Sequence, residues 1–81
     1  MTLEEKVIGI IMEQLDVTRE ECVSEASFLD DLGADSLDLV ELIMEMEETF
    51  AIQIADNELQ QIRTIKDVLD YLRNKGVTWH E

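Results

Sequence analysis

At 81 residues the chain makes one domain whose folding removes only about 60% of the surface its unfolded form exposes, so the core is thin and an internal catalytic cavity is not expected. No proline, three glycines and 46% hydrophobic residues favour helices joined by polar loops over a sheet. Six basic against twenty acidic residues leave a net charge of -14, which repels nucleic acid and anionic membranes and raises the on-rate for basic protein surfaces.

Thr2 with Glu5 has the form of a capping box, and Leu3, Val7, Ile10, Ile11 and Leu15 recur at helical spacing. This predicts a first helix to about Leu15, with Glu4, Lys6 and Glu13 on its solvated face. No basic leader precedes an apolar run, and no stretch reaches the roughly 20 apolar residues that cross a bilayer, so an unexported cytoplasmic protein without membrane insertion is expected. Asp16 to Asp35 is a long connection in which Thr18 with Glu21 can cap one short turn and Ser27 can start another, with Phe28 and Leu32 as its anchors to the core. Cys22, the single cysteine, forms no internal disulfide and no cysteine-based metal site. It reads as a small core hydrophobe in a reducing compartment.

The second helix is predicted from Asp35 or Ser36 to about Thr49 or Phe50, because Leu39, Leu42, Ile43, Met46 and Phe50 make one apolar stripe. That stripe accounts for a core face. Leu37, Val40 and Met44 form a second apolar row pointing elsewhere, flanked by Asp38, Glu41, Glu45, Glu47 and Glu48. Asp56 is a suitable N-cap for a short third helix through about Ile62, dependent on packing for its stability. Thr64 with Asp67 again has the capping-box form, and Ile65, Val68, Leu69 and Leu72 supply the apolar face of a last helix that Lys75 and Gly76 end. The tail from Val77 to Glu81 is expected to be loose. The fold class is therefore all-α: a small four-helix bundle of three longer helices and one short one, with a long loop between the first two, in a single domain over residues 1–81.

Ser36 stands where a loop gives way to the second helix. The first N–H groups of a helix have no internal partner and the macrodipole is positive there, so a phosphate ester on this hydroxyl is favoured. Catalysis finds little support. A nucleophilic serine needs a base within hydrogen-bond reach, and the single histidine, His80, lies near the end of the tail without a companion metal ligand. The carboxylates fall on predicted helix exteriors where water keeps them ionised. Starting from Asp30, the third and fifth positions of a calcium loop would be Leu32 and Ala34, which carry no side-chain oxygen. No specific metal site is expected, although Asp30, Asp31, Asp35 and Asp38 are dense enough to attract divalent cations weakly. What remains is a substrate-like protein with an accessible hydroxyl, a recognition helix leading away from it and charge complementary to its clients.

The run Leu32-Gly33-Ala34-Asp35-Ser36-Leu37-Asp38 resembles the attachment motif of acyl carrier proteins, in particular those of dissociated fatty acid synthases. Ala26-Ser27-Phe28, Val40-Glu41-Leu42, Phe50 followed by Ile54, the Asp56 start and Asp70-Tyr71-Leu72 extend the likeness over nearly the whole chain. The resemblance implies a carrier rather than an enzyme. A phosphopantetheinyl transferase would move 4'-phosphopantetheine from coenzyme A to Ser36, and the arm's thiol would hold acyl groups as thioesters for fatty acid biosynthesis or a related pathway.

The same resemblance implies an acyl pocket between the helices, with Phe28, Leu39, Leu42, Ile43, Met46, Phe50, Ile54, Leu59, Ile62, Val68 and Leu72 as its lining; each is equally a core residue. Partner synthases, transferases or ligases with basic surfaces are expected to meet Asp35, Asp38, Glu41, Glu47 and Glu48 around the apolar centre Leu37, Val40 and Met44, on a monomeric carrier. Ala55 stands where the family commonly has proline, Asn57, Leu59, Gln60 and Gln61 replace more acidic or smaller residues, and Glu45 replaces a small or neutral one. These departures leave open a specialised carrier for a polyketide, aminoacyl or other acid. An unmodified acidic helical adaptor or cation-binding module is the other open reading.

Overall fold

The structure, a computed structural model, describes residues 2–79. Its helices are α1 (Leu3–Leu15), α2 (Ser36–Phe50), α3 (Asp56–Leu59) and α4 (Ile65–Asn74), with one 3-10 turn at Arg19–Glu21. Helices α2 and α4 both pack on α1. The shared core holds Val7 and Ile11 from α1, Leu42 and Met46 from α2, and Ile65, Val68 and Leu72 from α4, with Phe28 of the long loop among them.

Local chemistry fixes the helix ends. In α1, Glu5 N–H donates to Thr2 Oγ1 at 3.1 Å and Thr2 N–H donates to Glu5 Oε1 at 3.0 Å, so two otherwise orphaned donors are satisfied reciprocally. The Thr2 backbone N–H, then its hydroxyl, hold the Glu5 carboxyl below the usual carboxylate range. Thr64 and Asp67 repeat the device at α4, at 3.2 and 3.1 Å, and Asp67 Oδ2 also accepts from Arg63 N–H at 3.1 Å. Helix α4 ends in a Schellman motif: Val77 N–H donates to Leu72 O and Gly76 N–H to Arg73 O, with Gly76 at φ 79°. Helix α2 ends with Ala51 in the same left-handed region at φ 56°, where a Cβ is unfavourable.

Three expectations change. Asp56 is the first residue of α3 rather than its cap; the cap position belongs to Ala55, which has no side-chain acceptor, and the α-helical part stops at Leu59. The chain reaches Ile62 through tighter turns, with Gln61 N–H donating to Glu58 O and Ile62 N–H to Leu59 O, both at 3.0 Å. The tail folds back as far as Trp79, whose ring meets Phe50 edge to face at 5.8 Å between centroids and lies 5.0 Å from Lys6 Nζ. At the 3-10 turn, Thr18 Oγ1 donates to Glu21 Oε1 and caps no backbone group.

The long loop is tied to the start of α4 by backbone bonds that run far along the chain. Phe28 N–H donates to Arg63 O at 3.0 Å, Ile65 N–H to Ala26 O at 3.3 Å and Lys66 N–H to Ser24 O at 2.9 Å. Phe28, 1% exposed, and Leu32 turn inward, as do Ala26, Ala34 and Cys22. The loop therefore has a fixed path across the bundle, and that path delivers Ser36 to the start of α2.

Candidate functional site

Asp35 caps α2, its Oδ1 accepting from Asp38 N–H at 2.8 Å while Asp38 Oδ2 receives Asp35 N–H at 3.3 Å. This reciprocal bond holds Ser36 as the first helical residue, exposed to solvent. Asp35 O receives Leu39 N–H, which leaves the Ser36 and Leu37 N–H groups without an acceptor among the described residues. Two free donors at a helix start favour an anionic oxygen, whereas the Asp35 and Asp38 carboxylates beside them oppose it.

Ser36 lines a cavity of about 550 Å³ between the long loop, the first turns of α2 and the segment from α3 to α4. Phe28, Leu39, Leu59 and Ile62 form much of its apolar wall. The other residues expected around a chain pocket lie elsewhere. Leu42, Ile43, Met46, Val68 and Leu72 are packed in the closed core, and Phe50 and Ile54 are half-buried at the other end of α2 and beyond it, Phe50 under Trp79. The cavity wall also includes Ser27, Leu29, Asp30, Val40, Gln60 and Arg63. Sequence periodicity does not reach these, since five of the six sit in irregular segments and Val40 belongs by spacing to the outward row.

The outward row is present as one face of α2. Leu37, Val40 and Met44 are 65%, 42% and 60% exposed, at spacings of three and four residues. Leu29 and Val23 of the loop are also exposed large apolar residues, and isolated positions in a loop carry no periodic signal by which to find them. Around the row, Asp35, Glu41, Glu45 and Glu48 are exposed. Asp38 and Glu47 are half-buried, Asp38 in the capping box and Glu47 with its Oε2 accepting from Ile54 N–H at 2.7 Å. Glu47 therefore fastens the loop leading to α3 and presents less free charge than Glu41 or Glu48.

Asp31 Oδ2 accepts from Ser27 N–H at 2.7 Å, so this carboxylate, like those of Asp35 and Asp38, is committed to backbone donors. No group of three or more His, Cys, Asp and Glu side chains placed to hold a metal ion occurs among the described residues. His80 lies outside them. Among the described residues, no helix is long and apolar enough to cross a membrane.

Helix α3, one wall of the cavity, is latched to α4 through Glu58. Its Oε1 accepts from Ala55 N–H at 3.3 Å and its Oε2 pairs with Lys75 Nζ at 3.6 Å. The Ala55 N–H, then the nearby Tyr71 hydroxyl, hold the Glu58 carboxyl below its usual range, with Lys75 adding to the effect. Burial, and then the Glu58 carboxylate, push the Tyr71 hydroxyl up. That hydroxyl lies outside hydrogen-bonding geometry with its neighbours.

An exposed hydroxyl at a helix start, a cavity behind it and an apolar row in front of it can accept a tether, shelter part of what the tether holds and present both to another protein. Known proteins resemble this chain in sequence and in fold. Residues 5–72 match the family described as "Phosphopantetheine attachment site". An acyl carrier protein of Syntrophus aciditrophicus (strain SB) is 63% identical over 79 residues, covering 98% of this chain and 99% of that one. One from Nitratidesulfovibrio vulgaris (strain DP4) is 59% identical over 75 residues, covering 93% and 99%. In three dimensions, a candidate acyl carrier protein from Mycobacterium tuberculosis aligns with a TM-score of 0.82 at 35% identity, over 89% of this chain and 96% of that chain.

Proposed function

The chain belongs to the acyl carrier protein family, a family of covalent 4'-phosphopantetheine carriers, and from that premise we propose that Ser36 is its attachment residue. The single observation that supports this most is the position of Ser36: the first residue of α2, exposed, and on the wall of the 550 Å³ cavity. Ser27, the other serine of that wall, is half-buried, and its Oγ accepts from Asp30 N–H at 3.3 Å.

When bound, the group supplies a flexible arm whose terminal thiol holds acyl chains as thioesters. The chain's own residues do the rest. The capping box fixes the base of the tether, so the tethered load searches a restricted volume at an effective concentration of order mM. Phe28, Leu39, Leu59 and Ile62 offer an apolar wall to a chain folded back toward the bundle. Leu37, Val40 and Met44 are the proposed apolar centre of a small transient interface, with Asp35, Asp38, Glu41, Glu47 and Glu48 drawing in basic partner surfaces.

The proposed partners are a phosphopantetheinyl transferase and the acyl synthases, transferases or ligases that load and unload the arm. We propose that the protein is a single-domain monomer working in the cytoplasm, with no catalytic group of its own. Leu59 and Gln60, two of the departures from the family pattern, stand in the cavity wall, which bears on the cargo rather than on the carrier role. Mass spectrometry of thioesters on protein from its own cells distinguishes a fatty acyl load from a polyketide or aminoacyl one.

Incubation with coenzyme A and a broad-specificity transferase tests the attachment. A mass gain of one phosphopantetheine in the native chain and none in Ser36→Ala is expected. No gain in the native chain, or an equal gain in the variant, contradicts the assignment, and full partner binding by Ser36→Ala from its own cells would favour the unmodified adaptor.

A further inference from the structure

Adding a phosphodiester at Ser36 places a negative charge where Asp35 and Asp38 already flank the hydroxyl and Asp30 shares the cavity wall. Two free backbone donors offset part of that repulsion. Arg63 is the one basic residue of the wall.

The backbone of Arg63 is held on both sides: its carbonyl accepts from Phe28 N–H at 3.0 Å and its N–H donates to Asp67 Oδ2 at 3.1 Å. Its guanidinium, by contrast, forms no ion pair among the described residues, where Lys75 with Glu58 is the pair that forms. In a chain with twenty acidic and six basic residues, a cation fixed at its root, exposed and without a carboxylate partner is available to another anion. Partner surfaces do not account for its place, because a positive charge beside an acidic docking row weakens the attraction for basic proteins.

We propose that Arg63 is the anion contact for the load carried on Ser36, a role that rests on Ser36 being the attachment residue. Its guanidinium binds a negatively charged oxygen group: the phosphodiester at the root of the arm, or the distal carboxylate of a cargo that ends in one. A planar fork of N–H donors matches either group in two-point geometry, which an ammonium cannot reproduce. A neutral alkyl chain gains nothing from it.

The Nε–Hε resonances of the three arginines in ¹⁵N-labelled protein test this, with Arg19 and Arg73 as internal references and Arg63→Gln to identify the peak. The forms compared are the unmodified chain, the chain bearing the arm, and the arm loaded with an octanoyl or an ω-carboxyoctanoyl group. Intact mass establishes the loading of each form first. We expect the Arg63 peak to move on loading while the other two stay, and the ³¹P resonance of the arm to differ in Arg63→Gln and to return only partly in Arg63→Lys. Movement with the arm alone identifies the phosphodiester as the anion; movement only with the ω-carboxy chain identifies the cargo carboxylate. Loading at Ser36 with a stationary Arg63 peak in every form overturns the contact and leaves the attachment intact, whereas absence of loading at Ser36 overturns both.

Discussion

Helices α1 and α2 pack on each other but use their apolar surface differently. In α1 the apolar positions point inward, with Val7, Ile8, Ile10 and Ile11 buried and Leu3, Met12 and Leu15 half-buried against them. In α2, Leu42, Ile43 and Met46 are buried, but Leu37, Val40 and Met44 stand in solvent on another face. Both helices begin with a reciprocal capping box, so the difference is not in how they form. Exposing a large apolar side chain gains nothing for folding, and we propose that the surplus on α2 serves the proteins it meets.

The largest effect that can break this comparison is on stability. Leu42→Ala removes a fully buried side chain and is expected to cost about 2–5 kcal/mol, whereas Leu37→Ala, one helical turn and a half away, should stay within about 0.5 kcal/mol in urea unfolding. Similar losses at both positions would mean that the outward row supports the fold and is not kept for partners. A smaller gain is expected at the end of α2: Ala51 holds φ 56° without being glycine, and Ala51→Gly should raise stability by about 0.5–1 kcal/mol despite the greater entropy of the unfolded chain. A loss of stability there would show that the Ala51 methyl contributes more than its backbone costs.

The smallest effect concerns the cavity wall, and it sharpens the contrast between the buried α1–α2 contact and the brief α3. The Glu58 carboxyl is lower in the folded chain than its ordinary value of 4.5, so its contribution is fully present above that pH and fades as pH falls through the lower folded value. Glu58→Gln should therefore lower the urea midpoint at pH 7 and converge on the native chain as the pH falls below 4.5 through the lower folded value. A pH profile identical to that of the native chain would mean that the latch of α3 to α4 does not stabilise the fold.

What could be read from the residues alone follows the range of the interactions. Thr2 with Glu5 and Thr64 with Asp67 act over three positions, so the pattern of residue types was enough to place both helix starts. The two apolar rows of α2 were legible for the same reason, since a period of 3.6 residues puts Leu37, Val40 and Met44 on one face and Leu39, Leu42, Ile43 and Met46 on another. Residue types alone make α3 too long, because a helix of one turn depends on packing more than on propensity. The docking of Trp79 on Phe50 and the bond from Phe28 to Arg63 join distant positions and leave no periodic trace. Hydrophobicity marks Leu42, Met46 and Leu72 as interior but does not distinguish a closed core from a wall with space behind it.

The central claim is that the exposed start of α2, and no other hydroxyl, carries the arm. Fragmentation mass spectrometry of peptides from the transferase-treated native chain tests it most directly. The added phosphopantetheine is expected on Ser36 alone; its appearance on Ser24, Ser27 or any threonine, or an unmodified Ser36 after complete reaction, would contradict the assignment.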